Sequence, residues 1–211
     1  MCIRDSLWDV ENGREVASYS FGDQAIYSAV FSSDGTSIIA ALEDGTIRIW
    51  SIETGDQIRK IDAHQSAVND LDISLDGKMI ATASDDGTVA IWNSATGQQI
   101  ASLRGHTDGV QSIAFSKDGT HLLSGSKDHT ARLWNIRKKF CVSVIRGHDS
   151  IIQHVSFTPD EKELVTVSID KTIRFWPYHS NAIQLIRLGE RTVKKLNPLT
   201  QAELTRFHLT E

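Results

Sequence analysis

The sequence lacks long hydrophobic runs and an excess of basic residues. Its longest apolar stretches, such as IIAAL at 38–42, are far shorter than the roughly 20 residues that a membrane-spanning helix needs. The N-terminus shows no signal-peptide pattern. The net charge is −5, whereas nucleic-acid binders usually carry a basic surface. The composition is that of a soluble globular protein, and we expect no membrane or nucleic-acid partner.

Clustered cysteines and catalytic motifs are also missing. Cys2 and Cys141 stand alone, so they provide neither a disulfide framework nor zinc-ligand spacing, and we expect a reducing, cytoplasmic compartment. The sequence has no glycine-rich phosphate loop, no Cys-x-x-Cys, no Gly-x-Ser-x-Gly and no His-Glu-x-x-His. We therefore predict no catalytic residue, no metal site, no cofactor and no enzymatic activity.

What the sequence has instead is a repeat of 42 residues. Aspartates in turns, Gly-containing turns and histidines recur with this period, as do the tryptophans: Trp8, Trp50, Trp92, Trp134 and Trp176. Between them lie short runs with alternating apolar side chains and Asp-Gly boundaries, such as TVAIWN, which predict four strands per repeat joined by tight hairpins. Because one such sheet cannot bury both of its faces, neighbouring repeats must stack.

These features resemble the WD-repeat β-propeller family. The resemblance rests on a Gly-His element, an Asp in a tight turn and a Trp six residues after that Asp, and it covers residues 7–177. The sequence departs from the pattern in that only Trp8 is followed by Asp, Ala63 precedes His64, and Gly22 replaces the first histidine. The resemblance implies an all-β fold: a partial WD-repeat propeller of four four-stranded blades, an N-terminal blade remnant and a short C-terminal helical tail.

The repeat also predicts the domain boundaries. Residues 1–21 are the remnant, with LWDV as a third strand and REVASYSF as a fourth, and residues 178–211 are the tail. The blades are predicted at about 22–63, 64–105, 106–147 and 148–177. Because family members with this repeat length mostly close with about seven blades, we expect a fragment that lacks N-terminal blades or a domain, with residues 1–6 being foreign sequence or a truncation artefact. A complete small propeller is the alternative.

The tail changes from period 2 to a helical pattern after Trp176, and the last repeat shows no fourth strand. The predicted N-cap is Ser180 or Asn181, and Thr200 with Glu203 has the spacing of a capping box. The apolar positions of the first helix are Ile183, Ile186, Val193 and Leu196. The segment resembles the two-helix ending of many bacterial WD-repeat proteins through Leu199, Thr200, Glu203, Arg206 and Phe207, which implies an upstream kinase, caspase-like or ATPase module. The alternative is a generic amphipathic helix pair.

Four polar or aromatic residues recur at fixed offsets, and a hydroxyl, an imidazole and a carboxylate suggest a hydrolase triad. The set occurs three times, however, whereas a catalytic site is needed once. The resemblance implies a structural hydrogen-bond chain within each blade, which satisfies the buried groups together. Its members are His64, Thr82, Asp86 and Trp92; His106, Ser124, Asp128 and Trp134; and His148, Thr166, Asp170 and Trp176. The first full repeat has Gly22 and Ala40 at two of these positions, so we expect its blade to be the loosest.

The resemblance further implies a rigid platform that binds proteins or peptides on the face carrying the His-bearing loops. Candidate partner-binding positions on this face are Tyr27, Glu43, Asn69, Asp85, Gln111, Lys127, Ile151, Gln153 and Ile169. Tyr27, Ile151 and Ile169 are the candidate apolar anchors, although the two isoleucines could simply pack at a blade edge. We therefore predict a non-catalytic protein-interaction scaffold. The alternative is the sensor or regulatory propeller of a larger bacterial signalling protein whose catalytic domain is absent from this sequence.

Overall fold

A computed structural model describes residues 4–20, 24–178 and 194–195 of the chain. Every regular element in this part is a strand, and no helix there could cross a membrane. The strands are β1 (Arg4–Asp9), β2 (Arg14–Ser20), β3 (Ile26–Phe31), β4 (Ser37–Leu42), β5 (Thr46–Ser51), β6 (Gln57–Asp62), β7 (Val68–Ile73), β8 (Met79–Ser84), β9 (Thr88–Asn93), β10 (Gln99–Arg104), β11 (Val110–Phe115), β12 (His121–Ser126), β13 (Ala131–Asn135), β14 (Phe140–Ile145), β15 (Ile152–Phe157), β16 (Glu163–Ser168), β17 (Ile173–Pro177) and β18 (Lys194–Lys195).

The described strands form one two-stranded and four four-stranded antiparallel sheets. Each sheet uses strands that are consecutive in sequence, and each strand pairs with the next. We call β1–β2 the half-blade, and β3–β6, β7–β10, β11–β14 and β15–β18 blades 1 to 4. The predicted all-β fold of four four-stranded blades and an N-terminal remnant is thereby confirmed.

The hairpins between the second and third strands of each blade are fixed by an aspartate. In blade 2, Asp86 Oδ1 accepts hydrogen bonds from the amide and the hydroxyl of Thr88, at 2.8 and 2.6 Å. Gly87 follows at φ +79°, in the left-handed region that glycine adopts without steric cost. His129 and Lys171 take this position in blades 3 and 4, both at φ 65°.

Successive blades bury the apolar faces of their sheets against each other. Val68 and Leu71 of the first strand of blade 2 form one cluster with Ile39 and Ile47 of blade 1, and both are at most 3% exposed. The corresponding positions of blades 3 and 4 pack on blades 2 and 3 in the same way. Stacking therefore provides the core that a single blade could not form.

The half-blade leaves apolar side chains exposed, since only two of the described strands belong to it. Its Trp8 is 56% exposed, whereas Trp134 of blade 3, which pairs with Leu122 of the adjacent second strand, is 2% exposed. Leu7 of the half-blade still packs against the cluster around Leu42 of blade 1. Phe31, on the first strand of blade 1, is 53% exposed.

The structure differs from the sequence prediction at Lys194 and Lys195. A helix was predicted there, but these residues form β18 and pair antiparallel with β17, where Phe175 lies opposite Lys194. An edge strand presents unpaired N–H and C=O groups, and pairing with them outweighs a weak helical pattern. The remaining residues of the predicted tail helices lie outside the described part of the chain.

Candidate functional site

The recurring polar residues lie in one hydrogen-bond chain within blade 2. Asp86 Oδ2 is 3.0 Å from His64 Nδ1, and His64 Nε2 is 2.8 Å from Thr82 Oγ1. The indole N–H of Trp92 donates to the same hydroxyl oxygen at 3.0 Å. The chain therefore runs from the loop before the first strand through the second strand to the third.

Blades 3 and 4 contain the same chain with nearly the same distances. The Asp–His, His–hydroxyl and hydroxyl–indole distances are 2.8, 2.8 and 2.8 Å for Asp128, His106, Ser124 and Trp134. They are 2.8, 2.7 and 2.9 Å for Asp170, His148, Thr166 and Trp176. Three blades thus tie their histidine-bearing loop to the sheet in one way.

The protons of this chain follow from its partners and from burial. A carboxylate accepts from Nδ1–H, so Nε2 is free to accept the hydroxyl proton, and the hydroxyl oxygen accepts from the indole. Burial lowers the pKa of His64, although Asp86 opposes it, so the imidazole is neutral at neutral pH. Burial alone would raise the pKa of Asp86, but hydrogen bonds from Thr88 and His64 outweigh it and lower the pKa. In blade 2, the neutral imidazole of His64 therefore has a hydrogen-bond partner at each ring nitrogen, the charged carboxylate of Asp86 on one side and the hydroxyl of Thr82 on the other.

A substrate could not reach the hydroxyl and imidazole groups of these hydrogen-bond chains. The hydroxyl-bearing residues Thr82, Ser124 and Thr166 are fully buried, and each histidine side chain is 1% exposed. The hydroxyl oxygen is also already engaged by the indole N–H. The geometry is that of a cross-link between strands, and it gives no nucleophile that a substrate could reach.

Blade 1 lacks this chain. Buried Ala40 occupies the position of the hydroxyl, and Gly22 lies outside the described residues. Asp44 instead accepts from the hydroxyl of Thr46 at 2.5 Å and from Nη2 of Arg48 at 2.7 Å. These bonds stay within one hairpin, so they do not connect the hairpin of blade 1 to the preceding loop.

The candidate partner-binding residues lie at the end of the blades that carries the histidine loops. In each blade, one backbone hydrogen bond connects this end of the first strand to the hairpin between the second and third strands. The first residue of the hairpin donates its N–H to the carbonyl of the residue just before the first strand. The pairs are Glu43 and Ala25 at 2.9 Å, Asp85 and Ala67 at 3.0 Å, Lys127 and Gly109 at 2.8 Å, and Ile169 and Ile151 at 3.0 Å.

Four of the candidates meet around the Asp85 carboxylate, a group of residues we call the Asp85 cluster. Its Oδ1 accepts from Asn69 Nδ2 at 2.6 Å, from Lys127 Nζ at 2.9 Å and from Gln111 Nε2 at 3.3 Å. Asn69 also donates to the carbonyl of Val110 at 2.9 Å. The cluster therefore links blade 2 to blade 3.

Glycine at position 109 makes this cluster possible. A Cβ atom there would lie 2.5 Å from Asp85 Oδ1 and 3.3 Å from Lys127 Cδ, which is too close. The ion pair is half-exposed, with about a third of each side chain accessible. Its contribution to stability is small for that reason, and its effect is to fix the side chains in place.

The other candidates are not part of the Asp85 cluster. Tyr27 is 50% exposed and Ile169 is 37% exposed, so both present apolar surface, while Glu43 is exposed and charged. Ile151 and Gln153 are half-buried. A partner-binding role for these nine residues stays a prediction.

Polar residues on the first strands form a further cluster that the sequence analysis missed. Asp70 Oδ2 accepts from the amide of Ile113 in the next blade at 3.0 Å, and Ser112 Oγ accepts from the amide of Val155 at 3.2 Å. His154 Nδ1 lies 3.3 Å from Ser112 Oγ. The signal was the 42-residue spacing of Asp70, Ser112 and His154, whose side chains differ and so obscure the repeat.

This first-strand cluster is not arranged for hydrolysis. In a catalytic triad the imidazole lies between hydroxyl and carboxylate, whereas here the Ser112 hydroxyl lies between Asp70 and His154. Ser112 is 2% exposed. Burial raises the pKa of Asp70, although the Ile113 amide opposes it. The cluster connects the first strands of blades 2, 3 and 4 through hydrogen bonds.

No group of three or more His, Cys, Asp or Glu side chains in the described ranges is placed to hold a metal ion. The three histidines of the hydrogen-bond chains lie in separate blades, so they cannot converge on one ion.

Comparisons with known proteins agree with this architecture. The family model "WD domain, G-beta repeat" matches residues 97–135 and 139–177, and the model "Vps42 beta-propeller" matches residues 21–103. None of the curated proteins matches the sequence significantly. The repeating blades, the hydrogen-bond chains and these matches define a propeller repeat protein.

Solved structures give the same result. The structure of U3-55K is 28% identical, with a TM-score of 0.69 over 74% of this chain and 50% of that one. The WD40 repeats of RRP9 are 28% identical, with a TM-score of 0.68 over 74% of this chain and 48% of that one. Residues 97–135 and 139–177 thus match the WD-repeat family, and the blades of the chain have the architecture of these WD-repeat structures. The chain spans about half the length of these two structures, and WD-repeat propellers typically act as protein-interaction scaffolds.

Proposed function

We propose that the chain is a non-catalytic module that binds partner proteins or peptides on the face carrying the histidine loops. The observation behind this proposal is the Asp85 cluster, in which four polar side chains from two blades are held at one end of the sheets. Side chains that are fixed before binding lose little conformational entropy when a partner arrives.

Apolar surface at the same end supports the proposal. Tyr27 is at the start of β3 and Ile169 is in the hairpin before β17, and both are exposed. Binding hot spots are enriched in tyrosine, so an exposed tyrosine at this end of the blades favours a partner-binding surface. The buried hydrogen-bond chains below this face keep its loops in place.

The test is a peptide library displayed on phage and selected on the wild-type protein. The affinity of the recovered peptides is then measured by calorimetry for Tyr27→Ala and Asp85→Ala, with circular dichroism to verify folding. We expect affinity to fall at least tenfold in one or both variants. The matched control is Lys138→Ala, an exposed residue at the opposite end of the blades, in the turn between β13 and β14. Equal losses in the control, or unchanged affinity in both variants, would contradict the proposal.

The alternative function is that of a sensor or regulatory propeller in a larger bacterial signalling protein. It rests on Leu199, Thr200, Glu203, Arg206 and Phe207, which lie outside the described residues. A signalling role, a cytoplasmic location and further blades or a domain in a longer chain are also part of our proposal.

A further inference from the structure

The interfaces between blades 2 and 3 and between blades 3 and 4 are filled by large side chains at the end opposite the histidine loops. Between blades 2 and 3 these are Met79, Phe115 and Ile136, which join one apolar cluster. Between blades 3 and 4 the corresponding residues, 42 positions later, are His121, Phe157 and Tyr178.

The second of these interfaces is packed around two rings. Tyr178 Oη lies 3.2 Å from His121 Nδ1, and the rings of Phe157 and Tyr178 pack edge to face with centroids 5.0 Å apart. Tyr178 is 3% exposed. An aromatic side chain thus fills both interfaces at the same place, Phe115 in one and Phe157 with Tyr178 in the other.

The interface between blades 1 and 2 has smaller residues at the three positions. Ser37, Ile73 and Ser94 stand where the next interface has Met79, Phe115 and Ile136. A cavity of about 300 Å³ lies here, with these three residues in its lining. The exchanges remove about as many side-chain atoms as one phenylalanine side chain contains, so the cavity follows from the sequence.

The cavity is open at the surface, and its lining combines four isoleucines with polar side chains that include four serines, Asp34 and Arg59. Ile39 and Ile49 line it together with Ile58, and Ile58 is 56% exposed. An apolar lining with a few placed polar groups is typical of binding pockets, whereas an unfilled cavity in a core only costs stability.

One hydrogen bond between blades 1 and 2 and one within blade 2 lie beside the cavity. Arg59 of blade 1 donates from Nη1 to the carbonyl of Ser94 at 3.1 Å. Ser94 Oγ donates to the carbonyl of Gly77 at 2.6 Å. The first bond connects the two walls of the cavity, and the second fixes Ser94 within blade 2.

We propose that this cavity binds an aromatic side chain, of the size of phenylalanine, from a partner protein. We choose an aromatic side chain because aromatic rings fill the equivalent place in the interfaces between blades 2 and 3 and between blades 3 and 4. The site goes beyond the proposed function, because the turns around it connect the first strand to the second and the third to the fourth, at the opposite end of the blades from the Asp85 cluster. It gives the module a second contact surface.

The test is a titration with N-acetyl-phenylalaninamide, followed by NMR of ¹³C-labelled isoleucine δ1 methyl groups. We expect saturable shifts at Ile39, Ile49, Ile58 and Ile73, with a dissociation constant on the order of 1 mM for so small a probe. The methyl groups of Ile113 and Ile152, buried in the other interfaces, should not respond. N-acetyl-alaninamide is the matched control probe, and equal shifts with it would overturn the proposal.

The second part of the test is a variant in which larger side chains from the interface between blades 2 and 3 are placed at the equivalent positions of this cavity. Ser37→Met with Ser94→Ile gives this interface two of the three residues of the next one, and we expect the shifts to disappear and the melting temperature to rise. Ser94→Ile alone serves if the double variant does not fold, and it should weaken binding of the probe at least tenfold. Binding that is unchanged in a folded variant would show that the probe does not occupy the cavity.

Discussion

Blades 1 and 3 have the same four strands in the same order, but different groups hold them. In blade 3 the His106–Asp128–Ser124–Trp134 chain crosses three elements, whereas in blade 1 the aspartate bonds only within its own hairpin among the contacts described. The registers of their strand pairs are nevertheless equivalent, as Ile38 opposite Trp50 and Leu122 opposite Trp134 show. Alternating apolar residues and Asp turns therefore suffice for a blade, and the buried chain adds rigidity rather than topology.

The largest effect is expected from breaking the chain in blade 3. His106→Ala would leave the buried Ser124 hydroxyl and the Asp128 carboxylate without their imidazole partner, at a cost of about 2–4 kcal/mol in the free energy of unfolding. Urea denaturation would measure the loss. Thr107→Ala, at the exposed neighbouring position, is the matched control and should change stability by less than about 0.5 kcal/mol. A cost for His106→Ala as small as that of the control would mean that the chain adds nothing.

Native-state hydrogen exchange would sharpen the same comparison without any mutation. If the chain stabilises a blade by about 1.4–2.8 kcal/mol, amides of β5 in blade 1 should exchange roughly tenfold to a hundredfold faster than the equivalent amides of β13 in blade 3. Ile49 and Leu133 are suitable reporters because they are equivalent and both are buried. Equal protection at the two positions would show that blade 1 is not the loosest.

The chains also predict a dependence of stability on pH. Burial lowers the pKa of His64 and of His148 below the usual 6.5, so the unfolded chain binds protons more readily. This stabilisation is complete above about pH 6.5 and is lost as the pH falls. Denaturation midpoints should therefore decrease from pH 7.5 to 5.5, a window that stays above the titration of most carboxylates. His64→Gln should flatten the decrease, and an unchanged slope would contradict this assignment.

Much of this architecture could be predicted because it repeats. The tryptophan period fixed the blades, and the offsets among His64, Thr82, Asp86 and Trp92 pointed to the chain that the structure contains. The Asp85 cluster and the cavity between blades 1 and 2 were not predicted. The reason is physical: contacts between blades depend on how side chains of two sheets interlock, and no single repeat contains that information.

The smallest effect concerns the hairpin turns, where Gly87 of blade 2 corresponds to Lys171 of blade 4. Lys171 is exposed at φ 65°, a conformation that costs a residue with a Cβ about 1 kcal/mol, while Gly87 adopts φ 79° freely. Lys171→Gly should therefore stabilise the protein by roughly 0.5 kcal/mol, after the extra flexibility of glycine in the unfolded chain is subtracted. The converse change, Gly87→Lys, should destabilise it by a similar amount, because a Cβ atom there would lie 3.5 Å from its nearest neighbour and would not clash. Opposite signs in paired denaturation curves would assign the difference to backbone conformation, and equal signs would assign it to the lysine side chain.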